Sequence, residues 1–441
     1  MAGERGPSAR IVEVEKDEFI KRAEGQKKLG IFGIDDLTEG KAREIKLQLL
    51  VQELEKYNRG WEGNSRQCPK CGEKQLYKGD QPRKLRVTGG TVEIDRAYYV
   101  CKSCKHSSFP MDDALNLAPE LEQGRLRERI SILGAIVPYN QIPELSIELI
   151  GMWISACTVR RCLLKEVELL TSECPVKELK PSNDDVLYAQ LDGFMIPTRE
   201  ERKDKEDQGY RESKVATVFT AKARVEVSKD RNQITDQLIA AKICSAKEFE
   251  SVFKDLARRS NYKKASRVVV LSDGAKWIQN LARRVLPCAI QILDYAHAKQ
   301  HLHAFAKLKF GESNNGEIFR FVDEMKGLLW EDRAPEVTRR MFELAGEDPL
   351  LLREAKFFRS NQQRMRYKKF RAEGLDIGSG AIESLGKRIG QGRLKGAGMR
   401  WNVKDVNPVL FFRAALFDGR VKSHLRYQRV MEEQYFQRLV A

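Results

Sequence analysis

Three carboxylates stand where predicted strands end and a predicted helix begins, although they are far apart in the sequence. Asp192 and Asp273 each follow a short apolar run typical of a β-strand, and Glu383 lies at the start of a predicted helix. Two Mg²⁺ ions about 3.5–4 Å apart, held by oxygen ligands on a rigid frame, can cleave a phosphodiester bond. We therefore expect these three side chains to form a magnesium (or manganese) site, although an aspartate before a glycine is also common in ordinary turns.

A fourth acidic residue and a histidine extend this pattern. Asp294 follows another apolar run of the same region, and His297 comes about one helical turn later. Such a pair could orient a metal-binding carboxylate or contact a phosphate, and a purely structural pair fits the sequence equally well. His301 and His303 follow, but their spacing does not bring all three histidines to one helix face. We therefore expect no histidine metal cluster.

The chain is strongly basic, and the excess charge is concentrated around Glu383. The formal net charge is +16, and residues 353–429 hold 19 Lys and Arg against 6 Asp and Glu. Such a concentration is typical of a protein that binds a polyanion such as DNA, although a solvated basic surface is the alternative. The side chains expected to contact DNA phosphates are Lys387, Arg388, Arg393, Lys395 and Arg400.

Four of the nine cysteines have the spacing of a structural zinc site. Cys68 and Cys71 form one C-x-x-C pair, and Cys101 and Cys104 form a second pair further along the chain. Four thiolates complete a tetrahedron around Zn²⁺ and leave no position open for catalysis. The sequence therefore predicts a zinc ribbon, in preference to a coincidence or a redox pair.

The first two parts of the chain differ in composition. Residues 1–66 are charged and favour helices. Residues 67–118 carry the four ligand cysteines and alternate in polarity around Gly89 and Gly90. That alternation around two glycines predicts a two-stranded hairpin within the ribbon.

Residues 119–182 favour helices and contain a pattern typical of a helix-turn-helix. Gly151 would make the turn, and Ser155 would cap the second helix. The side chains on that helix that we expect to read DNA sequence are Thr158, Arg160 and Arg161. An ordinary helical hairpin fits the same residues equally well.

Residues 185–300 alternate strands with helices and predict an α/β domain, which we expect to span residues 183–420. The predicted strands are 186–191, 214–220, 222–227, 267–271 and 289–293, and the predicted helices are 235–259, 275–285 and 295–309. Residues 201–208 form a predicted charged loop between the first two strands. Residues 311–370 lack strand signals and predict a helical insertion, after which the chain returns to the sheet with Glu383. Residues 421–441 are expected to form a helical tail.

Composition also excludes several classes of protein. The amino terminus lacks the apolar core of a signal peptide. No segment approaches the roughly 18–20 apolar residues of a membrane span. An odd number of cysteines without a secretion signal argues for a reducing compartment. We expect a cytoplasmic protein associated with the nucleoid and not with a membrane.

Taken together, these motifs resemble those of bacterial insertion-sequence transposases of the ISKra type, which are relatives of Mutator-like elements. The matching motifs are the four-cysteine ribbon, Asp192-Gly with Pro197 and Arg199, Ser272-Asp273-Gly-Ala, Asp294-x-x-His297, and the segment from Gly380 through Glu383 and Arg393 to Trp401. The resemblance covers residues 65–420. It implies an RNase H-like mixed sheet with a helical insertion and a catalytic triad of Asp192, Asp273 and Glu383, supported by Asp294 and His297.

The resemblance implies a transposase that uses two metal ions to hydrolyse phosphodiester bonds at the ends of a mobile element. The freed 3′-OH would then attack target DNA. The expected partners are double-stranded DNA and further copies of the chain on that DNA. Two alternatives remain: an RNase H-like nuclease without strand transfer, and a zinc-ribbon DNA-binding regulator derived from a transposase.

Overall fold

The computed structural model describes residues 7–172, 175–200, 209–228 and 231–440. The chain forms two compact units, one of Met1–Glu173 with Leu425–Ala441 and one of Cys174–His424. The predicted charged loop at residues 201–208 lies outside the described residues. No helix in the described part of the chain is long and apolar enough to cross a membrane. The finer division into five domains stays a prediction.

In the described residues, the part of the first unit before residue 173 contains a sheet of antiparallel strands and six α-helices. The strands are β1 (Ala9–Val14), β2 (Ser65–Gln67), β3 (Lys74–Val87), β4 (Gly90–Cys101) and β5 (Ser107–Ser108). The helices are α1 (Glu18–Glu24), α2 (Ile31–Glu55), α3 (Pro110–Ala114), α4 (Gly124–Ile136), α5 (Ile142–Ile150) and α6 (Ala156–Ser172). The sheet order is β1-β4-β3-β2, with β5 on β4. The predicted hairpin is confirmed as β3–β4, and its turn residue Gly89 has a φ of +100°.

The prediction of an entirely helical amino-terminal region is wrong for β1. This strand pairs with the edge of β4, in register from Ala9↔Ile94 to Val14↔Gly90. β-branched side chains fit a pleated surface better than a helix, and β1 carries three of them. Ser65 and Arg66 also belong to a strand, β2, while α1 and α2 are helical as predicted, and α2 packs Leu47 and Leu54 against the sheet.

The second unit is built on a five-stranded mixed sheet. Its strands are β6 (Val186–Pro197), β7 (Tyr210–Thr220), β10 (Leu238–Ile243), β11 (Arg267–Ser272) and β12 (Ile290–Leu293), while β8 (Arg224–Ser228) and β9 (Arg231–Ile234) form a separate hairpin. The order is β10-β7-β6-β11-β12. The pairs β10–β7 and β7–β6 are antiparallel, and β6–β11 and β11–β12 are parallel.

Helices cover both faces of this sheet, which confirms the predicted mixed α/β class. α7 (Ala246–Arg259) and α8 (Lys276–Val285) pack on one face. The other face is covered by α9 (Tyr295–Phe310), α10 (Asn315–Trp330), α11 (Ala334–Ala345), α12 (Pro349–Asn361) and α13 (Tyr367–Ala372). The helices α10 to α13 agree with the prediction that residues 311–370 lack strands, and their role as an insertion stays a prediction. The chain ends with α14 (Gly380–Gly386), a π-helical turn (Lys387–Gln391), α15 (Gly392–Leu394), α16 (Val403–Phe417) and α17 (Arg420–Val440).

The predicted helix 235–259 is wrong in its first part, because residues 238–243 form the edge strand β10. Ser245 begins α7 with a capping box, in which its hydroxyl accepts from Glu248 N and Glu248 bonds back to Ser245 N. Backbone hydrogen-bonding groups on the outer edge of β10 find partners elsewhere in the unit. The Asn407 side chain bonds to both the N–H and the C=O of Ile243, and Asp418 accepts from Ile239 N. These partners protect a free sheet edge.

Candidate functional site

The strand register aligns three of the predicted acidic residues. β11 pairs with β6 up to Leu271↔Gln190, and β12 pairs with β11 up to Ser272↔Leu293. Continuing these registers to the next residues brings Asp273 opposite both Asp192 and Asp294. Neighbouring strands lie about 4.8 Å apart, so the three acids form a short row across β6, β11 and β12, which we call the carboxylate row.

Asp192 occupies the β6 end of the carboxylate row and is partly buried. Its Oδ1 accepts a hydrogen bond from Gly193 N at 2.7 Å. Burial raises the pKa of the Asp192 carboxyl, and the negative charges of Asp273 and Glu383 raise it further. The carboxylates therefore repel one another across the site, which is the electrostatic setting that a bound cation relieves.

Glu383 reaches this region from α14, which is tied directly to the sheet. The buried Gln190 side chain of β6 accepts a hydrogen bond from Ile382 N at 2.9 Å. Ligand atoms of Asp294, His297 and Glu383 all lie within 4.8 Å of one another. The fold thus brings together these three residues, which are widely separated in sequence.

Asp294 serves first as a structural cap. It is 1% exposed, its Oδ1 accepts from His297 N at 2.9 Å, and its Oδ2 accepts from both the N–H and the hydroxyl of Ser379. Burial alone would raise the pKa of Asp294, but the hydrogen bonds from His297 and Ser379 outweigh it and hold the pKa well below its usual range. With most of its lone pairs already used, Asp294 is better suited to orienting its neighbours than to binding a metal.

His297 is held beside the acids by Asp294. Its Nδ1 lies 3.5 Å from Asp294 Oδ1. The hydrogen bond with Asp294 raises the pKa of His297, and the charges of Asp273 and Glu383 add to the increase. A protonated His297 would bring positive charge to the edge of an acidic site. His301, by contrast, pairs with Glu354 at 2.6 Å and stacks on Phe357, so it takes no part in this cluster.

The turn that carries Asp273 is fixed by the helical insertion. Asp273 Oδ1 accepts from Ala275 N at 2.9 Å, and Gly274 has a φ of +94°. A Cβ added at Gly274 would lie 2.8 Å from a ring carbon of Phe357 on α12. Only glycine fits there, because both the backbone angle and the close approach exclude a side chain.

Sequence reasoning missed Arg364, which supports the same turn. Arg364 is buried in the short segment between α12 and α13, and it donates to the Ser272 hydroxyl at 2.6 Å and to Asn361 Oδ1 at 2.7 Å. Burial lowers the pKa of Arg364 to about 10, so the guanidinium stays charged near Asp273 at neutral pH. No local pattern marks this arginine, since its partners become neighbours only in the folded chain.

A π-helical turn follows α14 and was also not foreseen. Arg413 of α16 donates from Nε to the carbonyl of Ile389 at 2.9 Å and from Nη2 to the carbonyl of Arg388. A Cβ added at Gly390 would lie 2.2 Å from a ring carbon of Phe194, two residues beyond Asp192 on β6. Such turns are frequent at functional sites, and this one fixes how closely the Glu383 segment approaches β6.

Four of the five predicted phosphate-contacting residues reach the surface of the unit. Lys387, Arg388 and Arg400 are exposed and Lys395 is half-buried. Arg393 differs, because its side chain is only 1% exposed and its guanidinium lies 5.1 Å from the centre of the Trp401 ring. A direct phosphate contact by Arg393 does not fit this burial, and we assign it a packing role.

The four predicted thiol ligands form a cluster in the first unit. Sγ–Sγ distances are 3.6 Å for Cys68–Cys104, 3.6 Å for Cys71–Cys101 and 3.3 Å for Cys71–Cys104. A tetrahedral site with Zn–S bonds of about 2.3 Å requires sulfur separations of about 3.8 Å. The cluster lies at the base of the β3–β4 hairpin and could hold a zinc ion.

The predicted helix-turn-helix residues lie on α5, α6 and the turn between them. Gly151 ends α5 with a φ of +73°, and the Ser155 hydroxyl accepts from Thr158 N at 3.2 Å. Arg160 and Arg161 are both exposed on α6. Arg161 pairs at 2.7 Å with the buried carboxylate of Glu122. α4 completes a compact three-helix group through a shared apolar core.

Comparisons with known proteins add little to this picture. No family model matches the chain, and no curated protein matches it. A solved structure described as a Drosophila P element transposase strand transfer complex is 11% identical, with 68% of this chain and 80% of that chain covered and a TM-score of 0.24. A crystal structure of NurA is 12% identical, with 65% and 62% covered and a TM-score of 0.13. Similarities this weak support no conclusion about the fold or function of the chain.

Proposed function

We propose that the chain is a DNA transposase of the insertion-sequence kind that its motifs resemble, with Asp192, Asp273 and Glu383 as the catalytic triad. It would hydrolyse phosphodiester bonds at the ends of a mobile element and transfer the freed 3′-OH to target DNA. The observation that carries the proposal is the strand register, which, when continued, places Asp192 of β6 level with Asp273 at the end of β11. Glu383 on α14 raises the pKa of Asp192 and so lies within its electrostatic reach.

The topology of the second unit supports an RNase H-like catalytic domain. Numbered within the main sheet, the strand order is 3-2-1-4-5, with the first three strands antiparallel and the last two parallel to the first. Asp192 lies within strand 1, and Asp273 and Asp294 directly follow strands 4 and 5. A helical insertion then separates them from Glu383, which agrees with the arrangement that the resemblance implies.

The residues of this site fit divalent cations. Hard cations such as Mg²⁺ prefer carboxylate oxygens, and Asp192, Asp273 and Glu383 would supply them. Burial raises the pKa of Asp192, and the charges of Asp273 and Glu383 raise it further, so a bound cation would favour its ionised form. When bound, Mg²⁺ or Mn²⁺ would supply Lewis-acid activation of water and of the leaving oxygen.

The remaining side chains would hold and orient the DNA. Asp294 keeps His297 in place, and His297 can offer a proton or a hydrogen bond to a phosphate oxygen because its pKa is raised. The exposed cations after Glu383 would bind phosphates on either side of the reacting bond. Contacts of that kind position a duplex without reading its sequence.

The first unit would recognise the element ends. We propose that its thiol cluster holds a structural Zn²⁺ and that Thr158 and Arg160 on α6 contact base edges. Exposure and a capped helix start support α6 as a reading helix. The chain would act on double-stranded DNA as a homo-oligomer, since two ends of an element must be processed together.

The test uses a plasmid that carries the gene with its own flanking DNA. The purified chain is incubated with it in Mg²⁺, and new ends are mapped by primer extension. The proposal predicts 3′-OH ends at fixed positions and joined products. Cutting without joining would replace it with a nuclease, and specific binding without cutting would replace it with a regulator.

A further inference from the structure

A groove beside α14 has no role in the chemistry described above. It has a volume of about 880 Å³ and lies between α14 and the β8–β9 hairpin. Its lining includes Gln190 of β6, which faces the same side of the sheet as Asp192 because side chains two apart on a strand share a face. At about 3.3 Å per residue, the groove therefore opens about 7 Å along the strand from Asp192.

The lining of the groove combines amide and apolar side chains. Gln190, Asn232, Gln233 and Gln237 supply amide donors and acceptors. Val227, Ile234, Ile377 and Leu385 supply apolar surface between them. Flat rings with polar edges fit such a lining, because their faces pack on apolar groups and their edges bond to amides.

The charge of the groove excludes a duplex backbone as its main ligand. Of the two arginines that line it, Arg224 is neutralised by a two-point ion pair with Asp376. Arg388 is exposed at the groove, with its guanidinium 4.4 Å from the centre of the Phe417 ring. Binding along a duplex uses several phosphate contacts at once, whereas one such cation matches a single phosphate group.

We propose that this groove binds an unpaired nucleotide of the DNA strand next to the reacting phosphodiester. The base would lie between the apolar side chains, with its edge against Asn232 and Gln233 and its phosphate near Arg388. The inference rests on the proposed function, since only DNA held at the carboxylate row would bring an unpaired base to this place. A bound base would also fix which phosphate enters the row.

Three fluorescein-labelled DNAs of one sequence test the groove without divalent cations. They are a blunt 20-base-pair duplex, the same duplex with three unpaired nucleotides at one end, and that duplex with an abasic extension. The duplex with the normal extension should bind on the order of tenfold more tightly than the blunt duplex, because stacking of a base on protein is favourable. The duplex with the abasic extension should bind no more tightly than the blunt duplex. The abasic extension retains its phosphates, so comparison of the two extensions separates binding of the bases from binding of the backbone.

Variants then test whether the increase in affinity given by the unpaired nucleotides, which we call the gain, comes from the groove. Asn232→Ala/Gln233→Ala should lose the gain and still bind the blunt duplex, because both residues are exposed on a hairpin away from the carboxylate row. Asn280→Ala, an exposed amide on α8, is the matched control and should keep the gain. If the double variant fails to fold, Gln233→Ala alone carries the test.

The outcomes separate this inference from the proposed function. An equal gain from the abasic extension, or a gain that the groove variant keeps, would overturn the nucleotide site. Binding of the blunt duplex with no gain from the extension would overturn the site and leave the transposase proposal intact. Failure to bind any of the three DNAs would overturn both.

Discussion

The thiol cluster and the carboxylate site are both sets of metal ligands, but the chain builds them in opposite ways. The thiols lie within residues 68–104, at the base of one hairpin. The carboxylates span residues 192–383 and stand on three strands and a helix. The first set is local in sequence, and the second exists only when the whole unit has folded.

This difference decides what each metal would do. Cys71 and the residues around it, 69–74, are all exposed, so a bound ion would itself organise that region. The carboxylate row rests on a sheet with an apolar core on each face. Its frame would therefore be formed before any ion binds, and removal of a ligand there should change chemistry and not folding.

The largest expected effect is the loss of zinc. Cys71→Ser/Cys104→Ser should reduce bound zinc from one ion per chain to none and unfold the base of the hairpin, because structural zinc contributes about 10–16 kcal/mol to folding in small sites. Elemental analysis and limited proteolysis measure both effects. Cys157→Ser, an exposed thiol on α6, is the control. Undiminished zinc in the double variant would refute the assignment.

The next effect is on catalysis alone. Asp192→Asn, Asp273→Asn and Glu383→Gln should each lower DNA cleavage by more than about a hundredfold, since an amide is a far poorer ligand for a hard cation. Thermal unfolding and DNA binding should stay close to those of the wild type. Asp323→Asn and Glu312→Gln, both exposed, are matched controls. Near wild-type cleavage by two of the three variants would break the triad assignment.

Asp294→Asn should affect stability, in contrast to the triad variants. An amide cannot accept from both His297 N and Ser379 N as the carboxylate does, and hydrogen bonds to a charged group contribute about 1.5–3 kcal/mol. The folded pKa of Asp294 is lowered, so its stabilisation is complete above the unfolded pKa of about 3.9 and is lost as pH falls through the folded pKa. Urea unfolding should show the full difference at pH 7 and a shrinking one below about pH 3.9. A difference that does not change with pH would contradict the assignment.

The basic residues should separate by exposure. Lys395→Ala and Arg400→Ala should weaken binding to all DNA sequences and lower the salt slope of log K by roughly 0.9 for each phosphate that is no longer neutralised. Arg393→Ala should leave the slope unchanged and lower the free energy of unfolding, because its side chain is buried over Trp401. Titrations at several salt concentrations measure the slopes, with Lys263→Ala as an exposed control. A reduced salt slope for Arg393→Ala would contradict its packing role and indicate that it contacts a phosphate.

The smallest expected effect concerns sequence reading by α6. Arg160→Ala should reduce preference for element ends over scrambled DNA by about 1–3 kcal/mol for each base that its side chain no longer reads. Arg161→Ala should instead lower stability, because it leaves the buried Glu122 carboxylate without its ion pair. Competition binding on the two DNAs measures the preference. An unchanged preference in the Arg160 variant would remove α6 from DNA reading.

Local patterns were enough to predict the elements that carry the ligands. The strand residues before Asp192, Asp273 and Asp294 are mostly apolar, and the hairpin of the ribbon turns at Gly89 as its sequence indicates. Parallel strands that end in acids at one edge of a sheet bring those acids together. The alignment of these three acids could therefore be expected from the types of the elements and their order along the chain.

The errors arose where distant partners override local preference. β10 contains two alanines and was taken for helix, yet Asn407 and Asp418 satisfy its edge from more than 160 residues away in the chain. Arg364 supports the Asp273 turn through hydrogen bonds that no spacing indicates. Arg393 was predicted on the surface because it lies in a basic run, and its burial beside the π-helical turn depends on the packing of α16 and Trp401.

Binding of Mn²⁺ is the most direct test of the carboxylate site, because it requires neither a DNA sequence nor turnover. Electron paramagnetic resonance can count free and bound Mn²⁺ in the wild type and in Asp192→Asn/Glu383→Gln, with zinc measured in the same samples. The account predicts Mn²⁺ binding to the wild type that is abolished in the variant, while zinc stays at one ion per chain in both. Undiminished Mn²⁺ binding by the variant would contradict the carboxylate site as the metal centre.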